Sequence, residues 1–208
     1  FRTGAGIEMV WKPDSSQIAS VTGGYYAFVW DPSTAAILYS LPDHDQPTTS
    51  VIWKPDGTQL ATSSLDNTVR VWDAETQGQV LLLQHSAPVY WVVWSPDGSK
   101  IATVGGNGFV GIWNSQNGSL IRSMSGYSDS VYVVDWSPDG TRIATGGADR
   151  AVRTWDVDSG QLLDTVTSED PIVDLDWNPV NDQVAFIDTY TGSHDDLPEI
   201  FVSSDPIP

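Results

Sequence analysis

The chain has no cysteine, only three lysines and two methionines, and no segment with the 3.6-residue apolar period of an amphipathic helix. The missing cysteine excludes disulfides, thiolate metal sites and cysteine nucleophiles. Basic residues are scarce as a class: 9 Lys and Arg stand against 27 Asp and Glu, for a formal net charge of −18. A polyphosphate has to be met by clustered cations that release its counterions, and Lys12, Lys54 and Lys100 lie far apart, so nucleic acid is not expected as a partner. The same charge disfavours anionic membrane surfaces. No apolar run approaches the roughly 18 residues a bilayer span needs, so membrane insertion is not expected either. Basic proteins, neutral peptides and cations remain compatible with the charge, which also helps to keep a ring-rich protein in solution.

Aromatic residues are what the chain has in plenty: 10 Trp, 7 Tyr and 5 Phe in 208 residues, a core of rings and β-branched side chains that suits pleated sheets. The indoles are periodic. Trp-x-Pro recurs at Trp11, Trp53, Trp94, Trp136 and Trp177, in steps of 42, 41, 42 and 41 residues. Trp30, Trp72, Trp113 and Trp155 keep the same step and sit 19 residues after the first series. Nine of the ten Trp residues therefore belong to one lattice, the mark of an internal structural repeat.

Each unit reads as four short strands. In the third, Val89 to Trp94 is apolar and β-branched, Pro96-Asp97-Gly98 supplies a turn, and Lys100 to Val104 forms a second strand. A turn at Gly105 to Gly108 leads to a third strand from Phe109 to Trp113, and Asn117-Gly118 leads to a fourth from Ser119 to Ser123. Such a sheet cannot bury both faces alone, but radial stacking on copies of itself does so and shields the strand edges. A β-sandwich offers no reason for the constant step.

The ends of the third strands, Val71-Trp72-Asp73 and Thr154-Trp155-Asp156, with Val29-Trp30-Asp31 and the variant Ile112-Trp113-Asn114, resemble the namesake dipeptide of the WD40-repeat propellers. The phrase W-S-P-D-G-x-x-I-A-T at Trp94 and Trp136 is similar to that family too, and the resemblance runs from about Ile7 to Val202. It implies an all-β, WD40-type β-propeller over residues 1–203, with repeats starting near 7, 49, 90, 132 and 173 and a linker or tail at 204–208. Four complete four-stranded blades and an incomplete fifth are expected, as part of a larger, seven-bladed ring. A five-bladed ring and closure by self-association are the other readings.

The family's buried tetrad of His, Ser or Thr, Asp and Trp maps onto His44, Thr62, Asp66 and Trp72. The next unit offers His85, Thr103 and Trp113 with Asn107 in place of Asp; the one after offers Thr145, Asp149 and Trp155 with Tyr127 at the His position. These recur as structural polar groups, whereas a hydrolase needs one exposed nucleophile beside an oxyanion hole. The family's partner-contact positions, on the rim around the central channel, map onto Pro47, Thr49, Leu65, Pro88, Tyr90, Ser130, Tyr132, Ala148, Pro171 and Val173. Tyr90 and Tyr132 also stand out by themselves, as amphipathic rings in matching places of adjacent units. Strand alternation puts Trp91 on the opposite face from Tyr90, which predicts it between blades.

The function implied is a non-enzymatic scaffold that docks a protein or peptide, a basic one being compatible with the charge, and without catalytic residues, metal or cofactor. A ligand-binding, metal-binding or enzymatic propeller using acidic loops, and a structural module of a larger assembly, stay open beside it. Further blades of the same parent chain, or a self-associated copy, are among the partners. The compartment is open: the family points to the cytoplasm, while the acidic, Cys-free, Lys-poor composition also suits an extracytoplasmic protein. Gly106 to Gly111 satisfies G-x-G-x-x-G but occupies a repeat turn rather than the start of a helix. His194-Asp195-Asp196 falls in an acidic stretch, Thr189 to Pro198, that breaks the repeat rhythm, and Asn117-Gly118-Ser119 is a glycosylation sequon that matters only in a secretory pathway.

Overall fold

The computed structural model describes residues 7–42, 44–180, 183–189 and 200–202. The sequon and the glycine run lie among them; Asp43 and the acidic stretch from 190 to 198 lie outside the described residues.

Five antiparallel sheets follow one another along the chain. The first holds β1 (Ile7–Trp11), β2 (Ile18–Thr22), β3 (Ala27–Asp31) and β4 (Ala36–Leu41); the second holds β5 (Thr48–Trp53), β6 (Gln59–Ser64), β7 (Thr68–Asp73) and β8 (Gln79–Gln84). The third holds β9 (Val89–Trp94), β10 (Lys100–Gly105), β11 (Val110–Asn114) and β12 (Leu120–Met124). In the fourth are β13 (Val131–Trp136), β14 (Arg142–Gly147), β15 (Ala151–Asp156) and β16 (Leu162–Thr167). The fifth is three-stranded: β17 (Ile172–Trp177), β18 (Val184–Asp188) and β19 (Ile200–Val202). Spatial order equals chain order in every sheet, so each is a simple meander. The G-x-G-x-x-G run is a single 3-10 turn, Gly106–Gly108, leading into β11.

Local chemistry makes the turns. After β9, Asp97 accepts hydrogen bonds from the Ser95 hydroxyl at 2.6 Å and the Ser99 amide at 2.9 Å, and Gly98 takes φ 69°. Those donors hold the Asp97 carboxyl down to about 2. Asp139 repeats the arrangement after β13, and Asp56 after β5 accepts from the Thr58 amide and hydroxyl and pairs with Lys54 instead of a serine.

The core consists of four successive interfaces. Ala19, Val21 and Val29 of the first sheet meet Val51, Trp53 and Trp72 of the second; Ala61 and Val71 meet Val92, Trp94 and Trp113. Ala102 and Ile112 meet Val134, Trp136 and Trp155, and Ala144 meets Leu175, Trp177 and Phe186. The small alanine lets the next sheet's indole approach closely. Innermost strands β1, β5, β9, β13 and β17 are neighbours in turn. They share a cavity of about 450 Å³ that reaches all five sheets, bordered by Glu8, Ile52, Trp91, Asp135, Asp174 and Asp176 among others. Trp91 packs against the interface of the third and fourth sheets and also borders this cavity, so its place is only partly the inter-blade core that alternation suggested.

The two indole series differ in their polar atoms. Trp53, Trp94, Trp136 and Trp177 are buried wedges whose ring N–H finds no acceptor, and Lys12, Lys54 and Arg142 lie over the rings of Trp53, Trp94 and Trp177 at 5.4, 6.0 and 5.2 Å. The third-strand indoles instead all donate to a hydroxyl, and so organise the polar clusters.

Candidate functional site

One end of the sheets gathers two turns from each unit: the connection entering the innermost strand and the turn between second and third strands. A backbone hydrogen bond ties them. The amides of Leu65, Gly106, Ala148 and Thr189 donate to the carbonyls of Pro47, Pro88, Ser130 and Pro171 at 3.1, 2.9, 2.9 and 2.8 Å. Leu65 with Pro47, and Ala148 with Ser130, are therefore joined as neighbours on the rim, half-buried, with Pro88, Pro171 and Val173 in equivalent places. Tyr90 and Tyr132 stand beside them on β9 and β13, half-buried, with ring centroids 5.8 Å apart at 60°.

Thr49 departs from that set. It is only 6% exposed, because its hydroxyl lies 2.8 Å from the Ser63 hydroxyl and donates to the Val89 carbonyl at 2.7 Å. A group that fastens the second sheet to the third is not a contact residue. In the other direction, Tyr25 and Tyr26 of the first sheet's equivalent turn are 49% and 46% exposed, and were missed because no tyrosine recurs there in the other units.

Beneath the rim lie the polar clusters. Trp72 Nε1 donates to Thr62 Oγ1 at 2.9 Å; Thr62 Oγ1 and His44 Nε2 are 2.8 Å apart, and His44 Nδ1 and Asp66 Oδ2 are 2.8 Å apart. With a neutral imidazole protonated at Nδ1, the chain runs Trp to Thr to His to Asp and every atom is satisfied. Burial pushes His44 below its ordinary value, against the opposing pull of Asp66. In the third sheet Trp113 and His85 converge on Thr103 at 2.8 and 2.9 Å, but His85 Nδ1 meets the Leu83 carbonyl at 3.1 Å. Asn107 is exposed at φ 58° and takes no part, which corrects its assignment: the left-handed turn that needs Asn carries its side chain into solvent. Without a carboxylate beside it, buried His85 falls to about 4.

In the fourth sheet Tyr127 and Trp155 both bond to Thr145. Asp149 does not join them directly. It lies 2.7 Å from Arg153, with angles outside hydrogen-bond range, and Arg153 lies 4.7 Å over the Tyr127 ring. Asp149 thus reaches the cluster through a cation. The first sheet keeps a remnant, Trp30 Nε1 to Ser20 Oγ at 2.7 Å. All of these groups are internal and carry no exposed nucleophile. Among the described residues no group of three or more His, Asp or Glu is disposed to hold a metal.

The sequence profile described as "WD domain, G-beta repeat" matches residues 36–73, 78–114 and 118–156. The chain belongs to the WD40-repeat family. Each matched WD40 repeat begins on the outermost strand of one sheet and ends on the third strand of the next: β4 then β5 to β7, β8 then β9 to β11, β12 then β13 to β15. Sequence repeat and sheet are therefore out of phase by one strand, which links consecutive sheets covalently, and each of the His44, His85 and Tyr127 clusters lies within one WD40 repeat. WD40 repeats generally serve as scaffolds that bind proteins or peptides. A search of curated proteins found no match.

Proposed function

We propose that this WD40 protein is a non-enzymatic scaffold that holds a protein or peptide on the rim, anchored at Tyr90 and Tyr132. The observation that carries the reading is the contact between those two rings from adjacent sheets, 5.8 Å apart and half-buried. Tyrosine presents a large rigid ring with a polar tip, which is why it dominates interface hot spots. Pro47, Leu65, Pro88, Ser130, Ala148, Pro171 and Val173 supply the surrounding contact surface. A basic segment is the best electrostatic fit. Asp45, Asp129 and Glu169 are exposed in the same connections, and burial followed by the nearby Asp129 charge raises Tyr132 above its ordinary value.

The test is a selection of displayed peptides on the native chain. Peptides chosen on it are expected to be enriched in Lys and Arg and to lose binding to a Tyr90→Ala/Tyr132→Ala double variant while keeping it with Val80→Ser, on outer strand β8. Equal binding to both variants would remove the rim reading.

A further inference from the structure

Each interface between consecutive sheets is made of the same two parts. One is a projecting pair on the innermost strand of the following sheet: Val51 and Trp53, Val92 and Trp94, Val134 and Trp136, Leu175 and Trp177, with Leu175 the most exposed at 7%. The other is a seat on the preceding sheet, centred on the second-strand alanine, Ala19, Ala61, Ala102 or Ala144, all at 0% exposure. A carboxylate completes two of the seats. Glu8 accepts from the Val51 amide at 2.9 Å, and Asp135 from the Trp177 amide at 2.8 Å.

Both parts occur once more without their counterpart among the described residues. On the first sheet Met9 and Trp11 hold the projecting positions and are 68% and 56% exposed. Tyr26, Phe28 and Trp30 extend the same face as a ladder of rings, 6.3 and 6.1 Å apart. A contiguous apolar face of this size marks an interaction surface. On the fifth sheet Ala185 pairs with Asp176 just as Ala144 pairs with Asp135. Ala185 is half-buried, Asp176 is exposed, and Ile187 stands where Val21 and Val104 are fully buried. Because Trp11 stays more than half exposed, the projection and the seat of one chain do not fill each other.

We propose that this face binds a second copy of the chain head to tail, Met9 and Trp11 of one copy entering the Ala185 and Ile187 seat of the other. The contact continues the interface already formed four times within the chain, with Asp176, whose carboxyl lies within hydrogen-bond reach of that of Asp135, at the border of the seat. It is heterologous, each copy presenting both halves. With −18 on each copy, long-range repulsion opposes the union, so added salt strengthens it. This proposal is independent of the rim.

Light scattering after size exclusion on the 208-residue chain, over a concentration series at low and high salt, is the test. Wild type is expected to associate, more so in high salt. Trp11→Arg and Ala185→Arg are each expected to be monomeric alone and to form a one-to-one dimer when mixed, since each keeps the half that the other has lost. Asp176→Arg, at an exposed position, serves as a second seat variant if Ala185→Arg fails to fold. Three outcomes overturn the proposal: a wild-type chain monomeric throughout, a mixture that stays monomeric, or seat variants that still self-associate, which would mean that first sheets pair face to face.

Discussion

Tyr90 and Tyr132, which are 42 residues apart in the chain, bring their rings to 5.8 Å across the boundary between the third and fourth sheets. Tilted rings at this distance couple by about 0.5–1.5 kcal/mol beyond the area they bury. A double-mutant cycle with Tyr90→Ala and Tyr132→Ala, read by urea melts, is expected to return a coupling in that range. Strict additivity would show that the rings do not interact.

Trp72 fills the space between the first two sheets and donates to Thr62. Trp72→Ala is expected to cost about 3–5 kcal/mol, through the lost ring and the hydrogen bond that Thr62 no longer accepts. Denaturant melts showing a loss below about 1 kcal/mol would contradict this placement.

The carboxylate position of the tetrad is not equivalent between units. Asp66→Asn weakens the bond to His44 and is expected to cost about 1–3 kcal/mol. Asn107→Asp is expected to change stability by less than about 0.5 kcal/mol, since residue 107 faces solvent and His85 already has the Leu83 carbonyl. A large stabilisation by Asn107→Asp, in the same melts, would show that the side chain turns inward.

Acid should destabilise the fold through His85. Its folded value of about 4 lies below the ordinary 6.5, so between these values the unfolded chain takes up a proton that the native chain refuses. The contribution is fully present above pH 6.5 and lost as pH falls toward 4, by about 3 kcal/mol for the gap. His44 acts in the same direction. Asp135 acts in the opposite one: burial raises it to about 6, so the native state gains from its protonation as pH falls from 6 toward 3.8. Urea midpoints against pH are expected to flatten in His85→Gln and to steepen in Asp135→Asn.

Gly105 and Gly147 sit at bulges where a Cβ would come 2.1 Å from the Pro88 carbonyl oxygen and 2.2 Å from that of Ser130. Alanine at either position is expected to cost about 2 kcal/mol or more, because backbone must move. Gly24→Ala has nothing within 4 Å of its new methyl and serves as the control. Equal melting of all three variants would argue against the bulges.

Much of this was legible before any coordinates, for local reasons. Alternation, Pro-Asp-Gly turns and evenly stepped indoles are properties of short windows, and they placed β9 and β10 almost to the residue. The third and fourth strands of that unit, β11 and β12, begin one residue later than alternation suggested, at Val110 and Leu120. The two turns of the rim were located through the resemblance to the WD40 repeats, by counting back from the indoles. What each residue meets across an interface was not legible in this way. Thr49 reads like a rim residue until the Val89 carbonyl of the next sheet claims its hydroxyl. Asp149 reads like a tetrad carboxylate until Arg153, four residues on, intercepts it.

The order of residues alone determined that the chain would make meandering sheets with an indole at fixed places on the first and third strands, because strand period and turn geometry are settled within a few residues. Only the assembled sheets decided which indoles are covered. Trp11 and Trp53 occupy the same place in their units, yet one is 56% exposed and the other 4%, since burial depends on the neighbouring sheet and not on the strand that carries the ring.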